Sequence, residues 1–117
     1  MTMTTASVEI EQIRRVTVVR FCIDVLNEDN FAAVSDELDA MVLDQRPRQV
    51  VVDLASIRQI DDLGLAMVQS FHDSIEERGG TAILCRLSTS VMGAMTQSGL
   101  SRLLHIRHSL NEAIWTF

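Results

Sequence analysis

The sequence predicts an α/β fold with a single mixed β-sheet and packed helices, its elements in the order ββαβαβαβα. Three observations carry this reading. Short β-branched and apolar runs recur along the chain, as strands require. Between them, apolar residues repeat at helical spacing. The helix-ending residues Pro47, Gly79-Gly80 and Gly99 fall where those stretches close. At 117 residues the chain suits one domain, residues 1–117, with residues 1–6 expected as a disordered polar tail.

Each element follows in order. Val8, Ile10 and Ile13 alternate with Glu9 and Glu11, and Val16 to Ile23 is a β-branched and aromatic run. The Arg14-Arg15 pair between them reads as a solvated turn, so residues 7–23 form a hairpin. Asp24 to Asn27 is a polar loop, with Asn27 a candidate helix cap. Phe31, Val34, Leu38, Met41 and Val42 then mark an amphipathic helix over residues 28–44. Val50-Val51-Val52-Asp53-Leu54 suits a strand covered on both faces. A connection over residues 55–60 leads to a second helix over 63–78, striped by Leu65, Val68, Phe71 and Ile75. Thr81 to Leu87 is the next strand. Ser88 caps a third helix carrying Val91, Met92 and Met95, and Gly99 ends it. Leu103 to Ile106 is a short strand. Ser109 or Asn111 starts a last helix with Leu110, Ala113, Ile114 and Phe117 on one face.

Composition excludes several function classes. The net charge is −6, and the ten basic residues are scattered arginines, so the clustered cations a nucleic-acid surface needs are missing. The opening residues show no basic and apolar export pattern. No apolar run approaches the ~18 residues of a membrane helix. The expected location is the cytoplasm, without direct membrane insertion. Cys22 and Cys85 fall in expected strands and read as small buried hydrophobes. They could form a redox pair only on neighbouring strands.

Candidate chemistry is sparse. His105 and His108 span a strand end and a loop with no cysteine or second carboxylate at ligand spacing, so no metal set is expected. Met41, Met67, Met92 and Met95 read as core filling. Ser88, Ser90 and Ser98 have no paired histidine and no nucleophile-elbow glycines. Asp53, at a strand end, looks like a receiver-domain phosphoacceptor with Asp61-Asp62 as an acidic pair. However, such a pair follows the first strand in receiver domains, and the lysine they use is absent from this chain. Asp53 is therefore read as structural, hydrogen-bonded to amides of the following loop. No nucleophile–base–orienter set is visible, and neither catalysis nor a cofactor is expected.

The stretch VVVDLASIRQIDDLGLAMV, residues 50–68, is the informative one. Asp53-Leu54 followed by Ile60-Asp61-Asp62-Leu63-Gly64-Leu65 resembles the hallmark of the STAS family, the sulfate-transporter and anti-sigma-factor-antagonist domains. The hairpin, Leu26-Asn27, Gly79-Gly80, Gly99-Leu100 and Ser109 to Ala113 fall where that family places them, so the resemblance spans residues 7–117. It implies a STAS-like fold and a non-enzymatic interaction domain similar to anti-sigma factor antagonists. The implied partner is an anti-sigma factor or a serine-kinase-like ATP-binding protein. The implied docking surface is Asn27, Arg58, Asp61, Asp62, Leu63, Gly64 and Met67. An accessory subunit of a membrane transporter or a scaffold complex is the alternative, and self-association as a homodimer stays open.

One departure stands out. Regulated family members carry the phosphoaccepting Ser or Thr directly before the glycine, and that position is Leu63 here, preceded by Asp62. Leucine has no hydroxyl to phosphorylate. Asp61 or Asp62 is expected to cap the helix. Leu63 is either an uncharged docking knob or a helix-start residue turned into the core, and the sequence does not choose between them.

Overall fold

The computed structural model describes residues 2–117. Its main sheet has six strands in the order β1-β2-β3-β5-β7-β8. β1 (Thr2–Thr4), β2 (Val8–Ile13) and β3 (Val16–Phe21) are antiparallel neighbours. β3, β5 (Gln49–Asp53), β7 (Thr81–Cys85) and β8 (His105–Arg107) run parallel. The helices are α1 (Phe31–Gln45), α2 (Asp62–Glu77), α3 (Thr89–Ser98) and α4 (Leu110–Trp115). This is the mixed α/β architecture the sequence predicts.

Strand alternation divides the core in two. Val19, Val50, Val52, Ala82 and Leu84 face the layer that also holds Leu38, Val68, Phe71, Ile75 and Met95 from α1, α2 and α3. Val18, Val51, Ile83 and Cys85 face the other way, onto Ala113 and Ile114 of α4. Both faces of β5 and β7 are thus covered, which is why those strands read as continuous apolar runs.

Four features differ from the sequence reading. Residues 2–4, expected within a tail, pair with β2 in the register Thr2↔Glu11 to Thr4↔Glu9. Threonine favours strands, and the outer edge of β2 offers unpaired backbone groups. Second, Val25–Leu26 (β4) and Gln59–Ile60 (β6), read as loops, form a two-stranded parallel sheet. Two residues are too few to show a period. Third, Cys22 lies just beyond β3 and is exposed, whereas Cys85 is buried. β5 stands between their strands, so the two thiols are not neighbours. Burial, with the Asp53 charge nearby, pushes the Cys85 thiol up to about 12. Fourth, Arg14, at φ 59° in the hairpin turn, lays its guanidinium 3.8 Å over the Trp115 ring rather than only into solvent.

Boundaries shift by a few residues. α1 begins at Phe31 after the N-cap Asn30, not near 28. Leu103, expected in the last strand, follows a 3-10 turn (Leu100–Arg102) and is exposed. Ser88 and Ser109 cap α3 and α4 through hydrogen bonds from the Val91 and Glu112 amides. Phe117 lies beyond α4 and is partly exposed.

Gly80 joins α2 to β7 at close quarters. A Cβ there would lie 2.6 Å from the Arg48 carbonyl oxygen, so the turn needs a residue without one. Gly93, inside α3, has open space around its Cβ position. Gly80→Ala should therefore lower stability by about 1–3 kcal/mol. Gly93→Ala should raise it by about 0.5–1 kcal/mol. Urea unfolding of both variants measures the contrast.

Candidate functional site

The start of α2 is assembled around one carboxylate. Asp61 has extended backbone (φ −102°, ψ −175°) and is the N-cap. Its Oδ1 accepts the Gly64 amide at 2.8 Å. Its Oδ2 accepts the Glu28 amide at 2.9 Å, and its own amide donates to the Leu26 carbonyl at 3.2 Å. Asp61 therefore satisfies an orphan amide of α2 and holds the β4–α1 loop against it.

Gly64 lets that approach happen. A Cβ on it would lie 2.5 Å from the Leu26 carbonyl oxygen and 2.8 Å from Ile60 Cγ1. Gly64 is buried and acts by its small size rather than as exposed contact surface.

The loop on the other side is built by asparagines. Asn27 Oδ1 accepts the Asp29 amide at 2.9 Å. Its carbonyl accepts the amides of Asn30 and Phe31. Asn30 Oδ1 accepts the Asn27 amide at 2.9 Å, and its Nδ2 donates to the Val25 carbonyl at 2.7 Å. Asn27 thus shapes the turn, while Asn30 takes the N-cap position of α1 without a side-chain cap bond.

The predicted surface residues separate on this frame. Asn27 and Asp61 are half-buried at the seam, and Arg58 and Asp62 are exposed. Leu63 is 42% exposed in the first turn of α2, so it points outward and not into the core. Met67 does not join them: it is 5% exposed and packs in the main core. It lies one helical turn past Leu63, close to the same face of α2, and is covered by the core where Leu63 at the helix start is not. Between the loop and α2, Val25, Asn27, Glu28, Gln59, Ile60 and Asp61 border an open groove of about 290 Å³. That is at the lower limit of small-molecule sites and fits a contact surface better than a ligand pocket.

Asp53 is fully buried at the end of β5. Arg86 Nε and Nη2 donate to its Oδ1 at 3.1 Å and Oδ2 at 2.7 Å. Arg20 Nε donates to Oδ2 at 3.3 Å, and the Ala55 amide to Oδ1 at 3.1 Å. The loop amide is the partner the sequence suggests. The two arginines come from β3 and from the αL position after β7, where Arg86 has φ 57°, and nothing in their spacing marks them. Hydrogen bonding to Asp53 raises the Arg86 pKa. With four donors on a buried carboxylate, neither oxygen is free to attack a phosphoryl donor.

The fold also gathers residues that sequence spacing keeps apart. Ligand atoms of His72, Glu76 and His105 all lie within 4.8 Å of one another. His72 and Glu76 are one turn apart on α2, a spacing readable in sequence. His105 joins them only because β8 pairs with β7.

The mixed sheet thus carries an α2 whose start is capped by Asp61 and tied to the Asn27 loop. The family model of the STAS domain matches residues 7–113, and the chain belongs to that family. An anti-sigma-factor antagonist (STAS) domain protein from Planctomyces limnophilus has a similar structure, with a TM-score of 0.83 at 18% identity over 97% of this chain and 98% of that one. An anti-sigma factor antagonist from Mycobacterium paratuberculosis gives 0.82 at 17% identity over 94% and 92%. A murine solute carrier 26 anion transporter gives 0.75 at 15% identity over 91% of this chain and 18% of the transporter. At these identities the likenesses establish the fold. Among the described residues, no helix is long and apolar enough to cross a membrane.

Two outcomes test the site's construction. Asp61→Ala should cost about 1–2 kcal/mol, whereas exposed Asp62→Ala should change stability by less than about 0.5 kcal/mol, read from urea midpoints. Incubation with acetyl phosphate should leave the intact mass unchanged. A gain of roughly 80 Da, one phosphoryl group, on Asp53 would show that its carboxylate is accessible.

Proposed function

We propose that this domain is a non-enzymatic, cytoplasmic docking module that binds an anti-sigma factor or a serine-kinase-like ATP-binding protein. The contact surface is the Asn27 loop with Arg58, Asp61, Asp62 and Leu63. The observation that carries the proposal is the exposed Leu63 in the first turn of α2, beside a loop that Asp61 fixes in place. The likeness in fold to anti-sigma factor antagonists supports the partner class.

The physical role of Leu63 follows from its place. A helix N-terminus carries unpaired amides and partial positive charge. A phosphate there would add about −1.5 to −2 charge and alter any apolar contact. Leu63 has no hydroxyl, so the surface stays uncharged at that position and binding there is independent of phosphorylation.

A second reading, an accessory STAS subunit of a transporter or scaffold, draws on the solute carrier 26 structure, part of which shares this fold. It uses the same surface without phosphorylation.

Leu63→Glu tests the surface. The variant should melt like wild type, because an acidic side chain in the first helical turn is favoured by about 0.3–1 kcal/mol. It should capture markedly less of an anti-sigma factor or kinase-like partner from native lysate, because it places charge in an apolar contact. A variant that melts normally and captures that partner undiminished removes Leu63 from the interface. Recovery of transporter subunits instead favours the second reading.

A further inference from the structure

We propose that His72, Glu76 and His105 form a binding site for a divalent transition-metal ion, with zinc the best match to the donor set. Two imidazoles and a carboxylate are a borderline-soft combination that suits Zn²⁺. Their ligand atoms are already within 4.8 Å of one another.

The decisive group is His72. It is 5% exposed, and its Nε2 is buried with no hydrogen-bond partner among the described residues. A buried polar atom left unpaired is costly, and a bound cation would remove that cost. The other ring nitrogen is committed. Nδ1 lies 3.1 Å from Asp73 Oδ1, and a carboxylate can only accept, so Nδ1 carries the proton. Nε2 is left with its lone pair, the form a metal takes. The arrangement is a carboxylate orienting a ligand histidine through its far nitrogen.

The other two ligands are placed with similar economy. The Ala82 amide donates to Glu76 Oε2 at 3.1 Å and so steadies the carboxylate. Glu76 Oε1 lies 3.9 Å from His105 Nε2. The two histidine rings are 5.9 Å apart between centroids, tilted by 49°. Zinc bonds of about 2.0–2.1 Å place ligand atoms roughly 3.4 Å apart. The set must therefore tighten, and exposed His105 with half-buried Glu76 has room to do so. His105 is exposed, so an ion can reach the site from solvent and keep a water as its fourth ligand.

A bound ion would brace the second half of α2 to β8, an edge strand of the main sheet. His72 lies nine residues beyond Leu63, about 14 Å along the helix, so the site is separate from the docking surface.

The test uses the full chain with Cys22→Ser, so that the exposed thiol does not compete. Calorimetric titration with Zn²⁺ should give one ion per chain, and the ion should raise the melting temperature. In proton NMR, Zn²⁺ should shift the imidazole signals of His72 and His105 and leave those of His108 in place. His105→Ala and Glu76→Gln should each weaken Zn²⁺ binding by about 100-fold or more, and Asp73→Asn by about 10–100-fold. His108→Ala should bind like the parent. Absence of stoichiometric binding, or equal affinity in His105→Ala and Glu76→Gln, would overturn the site.

Discussion

Both oxygens of the Asp61 carboxylate are occupied by backbone amides, one from α2 and one from the loop before α1. The candidate surface depends on this bridge. It starts α2, fixes the Asn27 loop beside it, and leaves Leu63 pointing outward. Gly64 makes the bridge possible, because any side chain there would meet the Leu26 carbonyl. Shape at the site is thus set by backbone hydrogen bonds and one close approach. The exposed residues above it are free to serve recognition.

The Asp53 cluster plays the matching role beneath. It gathers β3, the end of β5 and the turn after β7 onto one buried carboxylate. Ser56, in the loop after β5, adds a hydroxyl that lies 2.6 and 2.8 Å from the Phe21 and Ile23 carbonyl oxygens and shares its one proton between them. The loop leading to β6 is therefore anchored before it reaches Arg58 and Asp61. A carboxylate used this way contributes order to the three segments it joins.

Much of the fold was legible because its signals are local. Val50 to Leu54 reads as a doubly covered strand from its own composition, and Ser88, Gly79-Gly80 and Gly99 mark helix ends directly. The site was half legible. Asp61 as a cap follows from its place before an amphipathic stripe, but the exposure of Leu63 depends on how far the core extends past the start of α2. Met67, one turn further along nearly the same face, lies within the core. β4 and β6 are too short to carry a pattern. The arginines on Asp53 are 33 residues away in either direction, and His105 meets His72 only through strand pairing. Such contacts are products of topology, and spacing along the chain does not encode them.

The central claim is that partners dock on the β4 loop and the start of α2. Hydrogen–deuterium exchange on the chain, alone and bound to a kinase-like anti-sigma factor with ATP, tests this most directly. The account expects new protection confined to amides in residues 25–30 and 58–66, persisting as ATP is consumed. Protection centred instead on the β2–β3 turn and α4, with residues 25–30 and 58–66 unchanged, would contradict it.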